Sequence, residues 1–504
     1  MSKQKPAKTE LIERAPIIAV MGHIDHGKSK LLDYIRHTNI VDSEAGGITQ
    51  HTSAYEVVHQ DAHGQAKKIT FLDTPGHAAF ETMRERSAVI CDIAVLIVSA
   101  EEGVKAQTIE AYNAIKTAGR PFIVAINKID KPNANVDLVK QTLAEKEILL
   151  EGYGGDIPWA PISAKTGQGV DELLTLMLLV AELEELKGDR SLPASGFVLE
   201  TSLDQRVGIT ATLLIKNGTL KTGDYVIIDG QAAKVKKLEN FLGQTEKTLS
   251  FSAPVKVHGF NLQPRVGAEF HTCADKKGAE ASADCFVVSQ TKDQSENVTE
   301  KTEGLIIPLV LKADVAGTLE AVKKEVLKIK IERLCLKIVG TGIGTITEND
   351  VNALAGSEKG IVLGFKVKAE RGAIDQAEKY GAKIETADII YKLTEWLEAE
   401  LLDRAPKVTS EETVGKAKIL KTFSRRKDKQ VIGANVTEGR ISKNKQVKIW
   451  RRETEIGRGR IIDLQQQKQK VAEALENTQF GAEIDSKFEI MPGDVIEVFE
   501  LVTK

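Results

Sequence analysis

Residues 19–31 read AVMGHIDHGKSKL, and the fold of the first third of the chain turns on them. Gly22, His23, Ile24, Asp25, His26, Gly27, Lys28 and Ser29 satisfy the pattern G-x-x-x-x-G-K-[ST]. An apolar run of strand length precedes them, and KLLDYIR (residues 30–36) follows with helical spacing. A glycine-rich turn in that setting rings a phosphate with backbone N–H groups at the positive end of a helix dipole. Asp25, His26 and Gly27 line that cradle, Lys28 reaches the outer phosphates, and the Ser29 hydroxyl is a ligand for Mg²⁺. A carboxylate at Asp25, in a loop built for anions, calls for its own explanation.

Working outward, IIAVMG (17–22), KITFLDTPG (68–76), IAVLIVSA (93–100), PFIVAINKID (121–130) and WAPISA (159–164) alternate with longer helical patterns. The alternation predicts a parallel sheet covered by helices on both faces, with ligands bound just beyond the strand ends. The remaining polar motifs all fall there. Asp73 is placed to hold the Mg²⁺ shell, and Gly76 leaves a backbone N–H open to a terminal phosphate. In Asn127-Lys128-Ile129-Asp130, the Asp130 carboxylate can accept two hydrogen bonds from the N1 and N2 edge of guanine, a pair that adenine lacks. Ser163-Ala164-Lys165 supplies a backbone donor for guanine O6 and a side-chain stem to lie against the ring. The nucleotide is therefore read as GTP or GDP.

At 504 residues and 55.0 kDa, with 42% hydrophobic residues, the chain is too long for one core and predicts several domains. Its four cysteines have no C-x-x-C spacing, so neither a zinc site nor a disulfide framework is expected, and none of His23, His26 and His51 has metal-ligand spacing in the sequence. The N-terminal residues lack a signal-peptide core, and no run approaches a membrane span. A soluble, cytoplasmic monomer with no membrane or DNA partner is expected.

The expected organisation is multidomain α/β and β. A flexible tail (1–14) and a P-loop GTPase α/β domain (15–184) come first, and short alternating runs over 195–280 then read as a β-barrel. A polar linker (281–302), a small α/β/α domain (303–385) and a long connecting helix (386–408) follow. The helix carries Ile389, Ile390, Leu393, Trp396, Leu397 and Leu401 on one stripe. A C-terminal β-barrel (409–504) ends the chain. One piece of it, VTEGRISKNKQVKIW, echoes IKNGTLKTGDYVIID of the first barrel, with Gly439 over Gly218 and Asn444 over Gly223. The net charge is only −3, yet residues 415–470 hold seventeen Lys and Arg against five Asp and Glu. That bias is compatible with a solvated face or with nucleic acid.

Taken together, GHIDHGKS, GGITQH, DTPGHAAF, NKID and SAK resemble the signature set of the translational GTPases. EAGGITQHTSAY and FLDTPGHAAFETMR resemble, more narrowly, bacterial translation initiation factor two, and the resemblance covers about nine-tenths of the chain. It implies that Asp25 helps hold a monovalent cation beside the phosphates. It implies that Thr49 closes over Mg²⁺ when the γ-phosphate is present, and that His77 positions the attacking water. From the residues alone, a neutral imidazole is suited to orienting water, and a cap or a packing group is the alternative. The implied activity is GTP hydrolysis, slow alone and stimulated by the ribosome, with both ribosomal subunits, initiator tRNA and other initiation factors as partners. Many members carry long N-terminal extensions. In the family the terminal barrel holds the formylmethionyl end of initiator tRNA with basic and aromatic residues and a Glu-Cys-Gly. Here only Lys468 matches the basic positions, and Gln479-Phe480-Gly481 replaces the tripeptide, leaving Phe480 as a group that could pack on the methionine. The alternatives are a translational GTPase of the initiation factor five B type, indifferent to the formyl group, and a GTP-binding scaffold without turnover.

Overall fold

The computed structural model describes residues 11–37, 50–61, 63–287, 305–331, 334–357, 359–404, 409–467 and 469–503. The chain divides into two units, 1–404 and 405–504.

The first unit begins with a six-stranded sheet in the order Ser53–Gln60, Ala66–Asp73, Ile17–Gly22, Ile93–Ser99, Phe122–Asn127, Trp159–Pro161. The first pair is antiparallel and every other pair parallel. Successive strand residues face opposite sides. Ile18, Val20, Val95 and Ile97 pack with Leu31 and Leu174 on one face, while Ala19, Leu96 and Val98 pack with Ala111 and Ile115 on the other. Burial on both sides is why these strands are apolar at nearly every position, and why Ile17–Gly22 is buried along its whole length. The parallel strands bring Gly22, Asp73, Asn127 and the residues after Pro161 to one edge.

An eight-stranded antiparallel sheet follows, with Gly208–Asn217 paired between Ser195–Asp204 and Pro254–Phe260. It closes over Val198, Leu213, Ile215, Val226, Val255 and Phe270. A buried ion group joins it to the nucleotide domain. Asp92 accepts from both Arg14 guanidinium ends at 2.6 and 2.7 Å, from the Lys216 ammonium at 2.5 Å and from the Ile17 N–H at 2.9 Å. Burial pushes the Asp92 carboxyl up, and Arg14 and Lys216 overrule it, holding the group below its ordinary value. Lys216 lies on a barrel strand, so the cluster fixes barrel to nucleotide domain. Asp92→Ala leaves two buried cations uncompensated and is expected to destabilise the first unit by about 3–5 kcal/mol in denaturant titration. A loss below about 1 kcal/mol would contradict the assignment.

A helix, Lys276–Val287, covers the start of the stretch expected as a linker; residues 288–302 of that stretch lie outside the described residues. Four parallel strands come next in the order Leu334–Ile343, Leu305–Ala313, Ile361–Phe365, Lys383–Ala387, with helices Ala316–Lys328, Glu348–Asn352, Arg371–Tyr380 and Ile390–Arg404. The expected connecting helix is not a free spacer over its described length. It runs from Ile390 to Arg404, and residues 405–408 lie outside the described residues. Ile390, Leu393, Leu397 and Leu401 recur at helical spacing and are buried against Leu309, Leu311 and Val326. Trp396 and Ile389, expected on the same stripe, are only half-buried.

The second unit is a barrel in the order Thr409–Arg426, Val495–Thr503, Gln446–Arg451, Thr454–Gln466, Gln479–Ser486, Lys429–Ser442. Pairing of Lys429–Ser442 back onto Thr409–Arg426 closes it and removes the open edges. The echo between the barrels is borne by backbone conformation. Gly218 and Gly439 have φ of 80° and 65°, and Gly223 and Asn444 have 100° and 66°. Asn is among the few residues with a side chain that enter this left-handed region readily.

Candidate nucleotide-binding site

Between the strand ending at Gly22 and the Lys28–Arg36 helix the chain turns through Asp25 (φ 60°) and Gly27 (φ 93°). A side chain on Gly27 would collide with the Asn127 amide. Asn127 is buried and acts as an internal tie. Its Nδ2 donates to the His26 carbonyl at 2.7 Å, and its Oδ1 accepts from the Ala164 N–H at 2.9 Å. Three sequence-distant segments are thereby locked together. Asp130 is exposed, with Oδ1 accepting from the Ser163 hydroxyl at 2.7 Å, so its carboxylate is oriented while still open to solvent. Lys128, at φ 67°, reaches Glu102 at 3.1 Å. In the 163–166 run the Ser163 N–H donates to Gln168, that of Ala164 to Asn127 and that of Thr166 to the Ser163 hydroxyl. Among the described residues, the Lys165 N–H is the one in this run left for a ligand.

Lys28 is buried, and its ammonium donates to the carbonyls of Gly22 at 2.9 Å and His23 at 2.6 Å. Burial pulls its pKa down to about 8, with the Asp73 carboxylate opposing. Gly76 lies so near this ammonium that any side chain there would strike it. Asp73 is buried at the end of its strand, beside Val20 in register and 4.0 Å from Arg36. Ser29 stands in the first turn of the following helix. A carboxylate and a hydroxyl are hard oxygen donors, the set that suits Mg²⁺. Thr49 lies outside the described residues.

The histidines need one correction. Sequence spacing suggests no metal-ligand set, but His23, His26 and Glu102 bring ligand atoms within 4.8 Å of one another, because Glu102 arrives from the loop after Ile93–Ser99. Glu102 is already ion-paired with Lys128. His26 is fully buried, which lowers its pKa to about 4.

His77 is 3% exposed. Its Nδ1 accepts from the Ala79 N–H at 2.9 Å, capping the short helical turn Ala78–Phe80, and Arg84 donates to its carbonyl at 2.5 Å. Burial lowers its pKa to about 4 and keeps the imidazole neutral. The ring meets Tyr391 with centroids 3.9 Å apart, and Phe80 at 6.0 Å. Phe80 and Met83, which follow, are part of the core of the small α/β/α domain. On the other flank, Gln50 donates to the Asp388 carbonyl at 3.1 Å, and His51 lies 3.2 Å from both Asp314 and Lys366.

In the second unit, Gln479 is exposed and Gly481 half-buried, while Lys468 lies outside the described residues. Phe480 cannot meet a methionine from its observed position. At 4% exposed it belongs to the barrel core, because strand alternation turns it inward between Gln479 and Gly481. Sequence reading overlooked Phe423, which is 65% exposed, lies against Gly433, and has Lys421 above its ring at 5.9 Å. Gly433 pairs in register with Gly481. An aromatic within a run of basic residues was the available signal. Much of the basic excess is neutralised locally, as in Lys448 and Arg458 on Glu411, and Lys443 and Lys470 on Asp463.

Three family models match parts of the chain. One described as the Elongation factor Tu GTP binding domain matches residues 13–182, Elongation factor G domain 2 matches 193–273, and Translation-initiation factor 2 matches 287–398. A Translation initiation factor IF-2 of Bacillus cytotoxicus is 41% identical over 510 residues, covering 99% of this chain and 73% of that protein. One from Bacillus cereus is 41% identical over 500 residues, covering 97% and 72%. A crystal structure of GDP-bound aIF5B from Aeropyrum pernix is 27% identical, with a TM-score of 0.49, over 97% of this chain and 92% of that one.

Proposed function

Because this chain belongs to the translation initiation factor IF-2 family, and is thus a GTP-dependent translation initiation factor with GTPase activity, we propose how its residues divide that work. The observation that supports the reading is the Asn127 tie, which links the phosphate loop to the 163–165 run, where the Ser163 hydroxyl in turn bonds Asp130. Asp130 accepts from guanine N1 and N2, the Lys165 N–H donates to O6, and the Lys165 stem lies along the ring. Backbone amides from Asp25 to Ser29 bind the phosphates. Lys28 exchanges its two loop carbonyls for β- and γ-phosphate oxygens, which restores the charge that burial disfavours.

Ser29 and Asp73, with Thr49, would hold Mg²⁺, which when bound offsets negative charge on the phosphates. Asp25, exposed on its left-handed turn, is the carboxylate placed for a monovalent cation. His77 orients water for attack on the γ-phosphorus. The new bond is water oxygen to phosphorus, the bond to the β-phosphate oxygen breaks, and GDP and phosphate leave, with water's protons ending on phosphate and solvent. The ribosome stimulates this step by presenting surface that brings His77 to the nucleotide. No described helix is long and apolar enough to cross a membrane, and the cytoplasm, where ribosomes work, is the proposed compartment.

The terminal barrel binds the acylated end of initiator tRNA. Phe423 supplies the stacking surface beside Gly433, which pairs with Gly481, and Lys421, Gln479 and Lys468 are the polar groups assigned to the tRNA end. Binding of formylated, unformylated and deacylated initiator tRNA, at fixed salt with GTP, tests this. The formylated form is expected to bind tightest, and Phe423→Ala to weaken it about tenfold. Equal binding of all three would contradict the assignment and favour the initiation factor five B type of reading, which the inward turn of Phe480 also supports.

A further inference from the structure

We infer that Tyr391 is a positioning residue that holds His77 back from the nucleotide, so that the small α/β/α domain restrains hydrolysis by packing on the group proposed to orient the water. The inference rests on the assignment of that role to His77.

Three observations carry it. First, the His77 imidazole is buried and packs on Tyr391 and Phe80. Its Nδ1 is committed to the Ala79 N–H, and its Nε2 is buried with no hydrogen-bond partner among the described residues. A buried polar nitrogen left without a partner carries a desolvation penalty, so the ring needs compensation to stay there. Second, Tyr391 supplies apolar compensation, with ring centroids 3.9 Å apart at an interplanar angle of 55°, while Phe80 meets the ring edge-on at 6.0 Å. Third, Tyr391 is on the Ile390–Arg404 helix, whose other side is fastened into the core that also takes Phe80 and Met83. Tyr391 is itself 45% exposed, so little else depends on it. Rotation of His77 outward exchanges a ring contact for a wet polar nitrogen. A small displacement of one helix therefore decides between the two positions. The neighbouring contacts of Gln50 with Asp388 and of His51 with Asp314 come from the same domain, so displacing it frees both flanks of the site together.

The test is single-turnover GTP hydrolysis without ribosomes by Tyr391→Ala, Tyr391→Leu, Tyr391→Phe and His77→Ala, together with the Tyr391→Ala, His77→Ala double variant. An aromatic pair of this kind is worth enough to shift a two-position equilibrium about 3–10-fold. The alanine and leucine variants are expected to hydrolyse GTP about 3–10 times faster than the parent, with unchanged GDP affinity and KM. The phenylalanine variant keeps the ring and is expected to match the parent. The double variant is expected to be as slow as His77→Ala, because Tyr391 acts through His77. If His77→Ala is slow while both ring-removing variants match the parent within twofold, the restraint is refuted and the role of His77 stands. If His77→Ala hydrolyses GTP at the parental rate even with ribosomes, the assignment beneath the inference fails instead.

Discussion

His77→Ala is expected to lower ribosome-stimulated GTP hydrolysis by about 10²–10⁴-fold while leaving GTP and GDP affinity within twofold of the parent. The size follows from what a positioned group that orients or deprotonates water contributes to a transition state. The selectivity follows from the structure. The imidazole makes its described polar contact with the Ala79 amide, and nucleotide binding is assigned to other residues. Arg84, donating to the His77 carbonyl and ion-paired to Glu110 at 2.9 Å, keeps the backbone of this segment in place when the side chain is shortened. Stopped-flow phosphate release separates the step from binding. A parallel fall in affinity would mean that the substitution had disturbed the loop rather than removed a water-orienting group.

Asp130→Asn is expected to cost about 10⁴-fold in GTP affinity, since a site that satisfies a base edge rejects a partner that leaves its groups unmatched. The asparagine amide would set donors against the guanine N1–H and N2 amino group. Xanthosine triphosphate carries a carbonyl at position 2, and it is expected to bind the variant more tightly than GTP does. The Ser163 hydroxyl, now 2.7 Å from Asp130, can still bond the asparagine oxygen, so the loop keeps its shape. Competition against a fluorescent guanine nucleotide measures both affinities. A variant that keeps its preference for GTP over the xanthine nucleotide would show that base recognition lies elsewhere.

The nucleotide half of this account is legible in the sequence because its determinants are local. A phosphate loop needs eight consecutive residues, and apolar runs such as IAVLIVS and FIVAIN become doubly covered strands wherever helices can reach both faces. The paired turns at Gly218 and Gly439 are legible for the same reason: a left-handed backbone leaves its mark on residue choice. What stayed hidden depends on the meeting of distant segments. Nothing in HAAF or IIYKL announces that His77 and Tyr391 touch, since they lie 314 positions apart in the chain. Asp92, Arg14 and Lys216 are three ordinary charges until the fold removes water from them. The long apolar stripe of residues 389–401 predicts a helix, but not that the helix lies on a sheet. Phe480 illustrates the opposite error. A motif comparison offers it as a ligand contact, and strand alternation settles that it faces the core. Phe423 sits in a basic run, and its exposure is set by the folded barrel rather than by any local pattern.

The central claim is that ribosome contact switches on GTP hydrolysis in a protein whose water-orienting histidine is held away from the nucleotide. Rapid mixing of the GTP-bound protein, on small ribosomal subunits carrying initiator tRNA, with large subunits and a fluorescent phosphate sensor tests it most directly. The account predicts a burst of about one phosphate per bound protein, far faster than release without large subunits. Phosphate release at the same slow rate with and without large subunits would contradict it.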